Sequence, residues 1–175
     1  MGSGDNRLLG TWKLHSCTFV DAETGKQSNP LGVHPVGYLN YSSDGRMMVM
    51  TFADNRQAPI GPIPSDSETI ALFKTMVGYA GTFIVVGDEV THNVDASWNE
   101  AWTGTQQTRF YKLDGNILTL TTTPARSPLG APIGVFTLSW ERINKELSIA
   151  RCRWNEHGFD LALRAPPLLT MTCYG

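Results

Sequence analysis

One histidine lies among apolar residues in a run that alternates as a β-strand does. Along residues 89–98, its face of the strand carries Val90, His92, Val94, Ala96 and Trp98. A period of two turns this face toward the interior of a sheet. An imidazole there needs a hydrogen-bond partner, and that partner affects its pKa. His92 is therefore either a satisfied core histidine or a functional group, namely a general acid or base or a donor to a ligand carbonyl.

A second candidate group lies on the run 105–113, whose orientation the sequence leaves open. Gln107, Arg109 and Tyr111 alternate there with Gln106, Thr108 and Phe110. If the first set faces inward, Arg109 lies in a low dielectric and requires a carboxylate, either from Glu100 or from a ligand. If it faces outward, Arg109 is an ordinary surface charge. Glu100 itself is either a carboxylate base at a barrel mouth or a solvated loop residue.

Aromatic and sulfur-containing side chains could line a binding cavity near these groups. Trp98 and Trp102 bracket the far end of the His92 strand, where their flat surfaces suit an aromatic or polycyclic ligand. The alternative for both indoles is packing against the loop 53–64. Tyr38 and Tyr41 lie on opposite faces of one strand, so only one can line a cavity.

An inward phenol would hold an oxyanion or donate a proton. The partner strand carries Met47, Met48 and Met50, and one of its two faces lines the cavity together with the inward tyrosine. Methionine adapts to flat ligands, although it also fills ordinary cores.

Composition excludes several classes of protein. The 175 residues carry a formal net charge of -2 with scattered Lys and Arg, so no basic stripe indicates nucleic-acid binding. No apolar run approaches the roughly 18 residues of a membrane span, and the N-terminus has no signal-peptide core. Three widely spaced cysteines without CxxC are typical of free thiols in a reducing compartment, which predicts a soluble cytoplasmic protein.

Cofactor motifs are missing from the sequence as well. It contains no GxGxxG, P-loop, GxSxG, HxH or CxxC. The pair His15 and Cys17 could share one strand face, but the other histidines form no ligand cluster by spacing. We therefore expect no cofactor and no metal.

Alternating runs and tight turns define the elements that position these residues. Asp44-Gly45, Gly87-Asp88 and Asp114-Gly115 predict three hairpins. The predicted strands cover residues 11–20, 36–41, 46–52, 82–86, 89–98, 105–113, 116–123 and 135–142. Capping residues 65–68, followed by Ile70, Phe73, Met76 and Val77 at helical spacing, predict one helix, which Gly78 and Gly81 end and which plugs or covers the sheet. The fold class is all-β, an eight-stranded antiparallel up-and-down barrel.

The C-terminal part departs from this alternation. We assign residues 8–142 to the barrel and 143–175 to an irregular extension, in which 145–153 could add a strand. The extension could pack on the barrel, exchange with a second copy or stay mobile, which leaves a homodimer open.

Several motifs, in order and at matching spacing, resemble the lipocalin-like domain family of small microbial and fungal proteins. They include Leu9-Gly10-Thr11-Trp12, the Tyr38–Met47 hairpin, Tyr79-x-Gly81, Val90-x-His92-x-Val94, Gly104–Phe110 and Leu138-x-Trp140-Glu141-Arg142. The resemblance implies a closed barrel with a small-molecule cavity. It also implies that Trp12 closes the base and that Arg142 packs over its indole.

Together these features predict a protein that binds a small hydrophobic, oxygenated molecule and catalyses a cofactor-free, non-redox cyclisation or isomerisation, as in secondary metabolism. The predicted catalytic residues are His92, Arg109, Tyr38 and Glu100. The predicted ligand contacts are Trp98, Trp102, Met48, Met50, Tyr41, Gln107 and Tyr111. The alternative is a non-catalytic carrier, since confinement for binding and for catalysis needs the same lining.

Overall fold

Successive antiparallel strands close into a barrel. The computed structural model describes residues 6–126 and 132–143. Its strands are β1 (Gly10–Asp21), β2 (Gln27–Ser28), β3 (Val36–Tyr41), β4 (Arg46–Phe52), β5 (Met76–Val86), β6 (Glu89–Ser97), β7 (Gln106–Asp114), β8 (Ile117–Thr122), β9 (Ala125–Arg126) and β10 (Ile133–Arg142). The two-residue strands β2 and β9 lie at the ends of the sheet order. The other eight form the barrel, which the pairing of β1 with β10 closes.

Glycine makes the tight turns between the paired strands. Gly45, Gly87 and Gly115 all have positive φ, a conformation that costs glycine little and other residues much. In the first hairpin Gly45 N–H donates to the carbonyl of Ser42 over 3.1 Å, and the Asp44 carboxylate accepts from the backbone of Arg46. The three predicted hairpins are therefore confirmed, together with the barrel that they build.

The predicted helix exists but is shorter than its apolar spacing indicates. Helix α1 (Asp66–Lys74) begins with a capping box between Ser65 and Glu68 and has no buried residue. Met76 and Val77 belong instead to β5, because backbone pairing with Phe52 and Thr51 of β4 outweighs the helical pattern. Strand β5 thus starts six residues earlier than predicted.

The base of the barrel is closed by Trp12 and Arg142. The guanidinium carbon of Arg142 lies 3.9 Å from the centre of the Trp12 ring, as the resemblance implies. Arg142 also donates to the carbonyl of Leu9 over 2.6 Å, and Trp12 Nε1 donates to the carbonyl of Leu8 over 2.9 Å. Gly10 has φ of 125°, and a Cβ there would come within 3.0 Å of the guanidinium. The Gly-x-Trp pattern is therefore a requirement of this closure.

A β-bulge in β1 changes which of its residues face inward. The register with β10 shifts between Leu14 and Ser16. Beyond this shift the buried residues are Cys17 and Phe19, whereas unbroken alternation from Trp12 and Leu14 would turn Ser16 and Thr18 inward. The bulge also separates His15, which is exposed, from the buried Cys17, so the two do not share a face.

The predicted C-terminal extension lies almost wholly outside the described residues, as does the added strand at 145–153. Within the described ranges, α1 and the two short 3₁₀ turns are far from the length and apolarity that a bilayer-crossing helix requires.

Candidate functional site

A cavity of about 110 Å³ lies inside the barrel, and every one of the eight barrel strands contributes to it. It is large enough for a small organic molecule, since a single water needs roughly 10–15 Å³. Its lining is mostly apolar, with Thr51, Tyr79, His92, Arg109 and Thr122 as the polar members. The apolar members are Cys17, Pro30, Leu31, Leu39, Val49, Val77, Trp102, Leu120, Phe136, Leu138 and Trp140.

His92 connects two tyrosines in a buried chain of hydrogen bonds. Its Nε2 lies 2.7 Å from Tyr41 Oη, and its Nδ1 lies 2.9 Å from Tyr79 Oη. Strands β3, β6 and β5 supply the three side chains, and the inward alternation of β6 places the imidazole between the two phenols. Both ring nitrogens therefore have partners, as a buried imidazole requires.

The protonation of this chain follows from its burial. Burial, with a smaller contribution from the nearby Arg109 cation, lowers the pKa of His92 from 6.5 to about 3, so the ring is neutral at pH 7. A neutral imidazole donates through one nitrogen and accepts through the other. Among the described residues, Tyr41 Oη has His92 Nε2 as its only recorded partner, and Tyr41 is 1% exposed.

Tyr41 must therefore donate to Nε2, because its proton would otherwise be buried without an acceptor. Nδ1–H then donates to Tyr79. The hydroxyl proton of Tyr79, a residue of the cavity lining, is thus free to donate to a ligand.

Both phenols stay protonated at neutral pH. Burial raises the pKa of Tyr41, with a smaller contribution from Tyr79, while Arg109 opposes the shift. Burial likewise raises the pKa of Tyr79 against the opposing effect of Arg109. The cavity therefore presents neutral hydroxyl groups rather than a phenolate.

Arg109 faces the cavity, which settles the orientation of β7. Gln107, Arg109 and Tyr111 are part-buried, whereas Gln106 and Phe110 are exposed. The guanidinium donates to the carbonyl of Thr108 over 2.8 Å and to Gln107 Oε1 over 3.4 Å. In the described part of the chain no carboxylate lies within ion-pair distance of it, and the recorded ion pair, Arg46 with Asp95, is on the surface.

Three predicted site residues lie on the outside of the barrel. Tyr38 is 49% exposed, Met48 60% and Met50 48%. Tyr41 and Met47 occupy the inward face of the same hairpin, because alternate residues of a strand point to opposite sides. The structure thus places Tyr41, and not Tyr38, on the inward face, where Tyr41 contacts His92 without joining the cavity lining, and it places Met48 and Met50 away from the cavity.

The aromatic residues beyond β6 are divided between the cavity and its surroundings. Trp102 lines the cavity and packs edge-on against Tyr79, with ring centres 5.5 Å apart. Trp98 packs against Trp102 and Phe73 without joining the lining. Glu100 is exposed and accepts from Thr103 Oγ1, so it does not reach Arg109.

Gln107 and Tyr111 point inward but support the site from its border. Gln107 accepts from Arg109 and donates to Thr105, which holds the guanidinium in place. Tyr111 packs on the core and donates to the carbonyl of Gly87 over 3.2 Å.

Sequence reasoning missed Tyr79 as a functional residue. The predicted helix reached Val77, so the alternation of Val77 and Tyr79 was not recognised as part of a strand. The available signal was Tyr79-x-Gly81 in the family resemblance. Gly81 marks a close approach, since a Cβ there would lie 1.9 Å from the carbonyl oxygen of Asn93.

Cysteine and metal chemistry find little support in the described ranges. Burial raises the pKa of Cys17 to about 12, so the thiol is not a nucleophile at neutral pH. Across residues 6–126 and 132–143, no three His, Cys, Asp or Glu side chains are grouped as metal ligands would be.

Comparison with known families agrees with this geometry. The lipocalin-like domain profile matches residues 9–143, most of the chain. The chain belongs to the lipocalin-like domain family. Family membership and the cavity inside the barrel together indicate small-molecule binding. No curated protein matches the sequence.

Two solved structures from Bacteroides are similar to this lipocalin-like chain. A lipocalin-like protein from Bacteroides uniformis is 13% identical, covering 78% of this chain and 98% of its own, with a TM-score of 0.43. An uncharacterized protein from Bacteroides eggerthii is also 13% identical, covering 78% and 99%, with a TM-score of 0.38.

Proposed function

We propose that the barrel binds a small, largely apolar molecule through an oxygen atom that accepts hydrogen bonds from Tyr79 and Arg109. One observation carries this proposal. The Tyr41–His92–Tyr79 chain ends in a hydroxyl proton with no acceptor assigned, and this group borders an apolar cavity beside a guanidinium. Apolar walls with a few placed donors are typical of ligand sites.

The tryptophans of the cavity lining offer a further hydrogen-bond donor and a spectroscopic signal for ligand binding. Trp140 lines the cavity, and its Nε1 is buried with no hydrogen-bond partner among the described residues. Buried donors normally have partners, so this N–H is a candidate for a further contact with the ligand, in addition to Tyr79 and Arg109. Trp12 Nε1, by contrast, is already bonded to Leu8 at the base.

Methyl cinnamate and 2-octanone are suitable neutral probes, because each combines an apolar body with one carbonyl. We expect either probe to shift the indole N–H resonances of Trp102 and Trp140 in a ¹⁵N-labelled sample and to leave that of Trp12 unchanged. Tyr79→Phe removes one donor and should weaken binding about 3–10-fold by calorimetry. Tyr38→Phe is the matched control and should leave the dissociation constant unchanged, since Tyr38 lies outside the barrel. Shifts confined to surface residues would contradict binding in the cavity.

A cofactor-free isomerase or cyclase is the second candidate function, and the same pair of donors supports it. A carbonyl oxygen held by Tyr79 O–H and Arg109 is polarised, which stabilises an enolate or activates an acceptor for ring closure. His92 would act here by holding Tyr79 in its donor state, because both of its nitrogens are occupied and its pKa is about 3. The arrangement thus favours a proton donor over a histidine base.

Exchange of the α-hydrogens of 2-octanone in deuterated buffer tests this chemistry. Solvent removes the proton, so only stabilisation of the enolate by the protein is measured. We expect the protein to accelerate exchange and Tyr79→Phe to lower the accelerated rate roughly 100-fold, the effect of losing one oxyanion donor. Binding without acceleration would favour the carrier.

A further inference from the structure

We propose that the natural ligand carries a carboxylate or an equivalent oxyanion, and that Arg109 is the residue that selects for it. This inference deepens the proposed function and rests on it. Its basis is a cation that lines the cavity and has no counter-ion in the described part of the chain.

The donors of Arg109 are only partly used. Guanidinium has five N–H groups in a planar fork. The Thr108 carbonyl and Gln107 Oε1 accept from two of them, and a further hydrogen bond joins the fork to the Tyr79 hydroxyl. The contact with Gln107 is 3.4 Å long, so it is a weak one. An amide and a backbone carbonyl orient the fork without neutralising its charge. A carboxylate would meet the remaining donors in bidentate geometry.

The other polar groups of the cavity lining do not compensate this charge. His92 is neutral at pH 7, the Tyr79 phenol is protonated, Cys17 is a thiol, and the threonine hydroxyls carry no charge. The described lining therefore has a net charge of one positive unit in mostly apolar surroundings. A cation in such surroundings strongly favours an ion partner, because the medium screens their attraction poorly.

Tyr79 provides the second contact for the same oxyanion. The charge of Arg109 and a hydrogen bond from its side chain both oppose the rise that burial causes in the pKa of Tyr79, so the two groups lie close together. The tautomer of His92 directs the Tyr79 proton away from the imidazole. An anion at Arg109 thus receives a hydroxyl donor as well, as oxyanion sites commonly arrange.

Two matched pairs of probes separate charge from shape. Cinnamic acid and methyl cinnamate share an aromatic body, and octanoic acid and methyl octanoate share an aliphatic one. At pH 7 we expect at least one acid to bind about tenfold or more tightly than its ester by calorimetry, because hydrogen bonds to charged groups exceed neutral ones by this much. Arg109→Gln should abolish the preference for the acid, whereas ester binding should weaken only about 3–10-fold, as expected for the loss of one donor to a neutral oxygen.

Arg109→Lys keeps the charge without the fork and should retain part of the preference. Arg46→Gln, which alters the exposed arginine on β4, is the control and should retain all of it. Thermal melts of each variant establish folding. The anion site would be overturned if the esters bound as tightly as the acids, or if the preference for the acid survived Arg109→Gln. In either case the proposed function would stand. Absence of binding by all four probes would overturn both.

Discussion

Replacing Trp12 with alanine is expected to lower the free energy of unfolding by about 3–5 kcal/mol, the range for large core truncations. Trp12 is fully buried, donates to the Leu8 carbonyl and lies beneath the Arg142 guanidinium. Its removal opens a void at the base of the barrel, leaves a buried carbonyl without its donor and deprives Arg142 of its aromatic partner. Urea unfolding followed by circular dichroism measures the change.

Lys13→Ala is the matched control for this prediction. Lys13 is the next residue on β1 and is exposed, so its truncation should change the stability by no more than about 0.5 kcal/mol. If Trp12→Ala melted like the parent protein, Trp12 would not be the anchor of the barrel base.

Acidification from pH 7 to pH 5 is expected to lower the free energy of unfolding by about 2 kcal/mol through His92 alone. The pKa of this histidine is about 3 in the folded protein and 6.5 as its reference value, so the unfolded chain binds a proton that the folded chain does not. The contribution of His92 to the free energy of unfolding has its full value above pH 6.5. It falls by about 1.4 kcal/mol per pH unit below that value and levels off below pH 3.

His92→Gln removes the titrating group but keeps one donor and one acceptor for the two tyrosines. The variant should be less stable at pH 7, and its stability should vary less between pH 7 and pH 5. His34→Gln is the control, because His34 is exposed and the change should preserve the slope of the parent. Measurement above pH 5 avoids the protonation of carboxylates, which would also change the free energy of unfolding. Several of them, such as Asp54 and Glu68, have lowered pKa values. Equal slopes for His92→Gln and the parent protein would contradict the assignment.

The buried His92 illustrates what a local sequence pattern can predict and what it cannot. Alternation along β6 predicted that His92 faces inward, because neighbouring side chains of a strand must point to opposite sides. The identity of its partners did not follow. Tyr41 is 51 residues away in sequence and Tyr79 is 13 away, and both bonds depend on how the strands align across the barrel.

Bulges explain the differences in orientation along β1 and β6. The irregularity between Leu14 and Ser16 brings Cys17 inward, and a second one at Ala80 and Gly81 shifts the register with β6. Beyond that second shift Ala96 is exposed, although alternation alone predicts it to face inward. An inserted residue reverses every later side chain, and its position depends on the partner strand as much as on the strand itself.

By itself the sequence determined the barrel strands and their hairpins, and the resemblance to the family implied the closure at Trp12. Turn glycines and period-two alternation act over a few residues, so local chemistry is enough to specify the hairpins and strands. Only the tertiary structure decided that Arg109 faces the cavity without a carboxylate, that Tyr79 ends the hydrogen-bond chain, and that Tyr38, Met48 and Met50 face away. Those features depend on strand register and closure, which bring distant residues together and which no local pattern encodes.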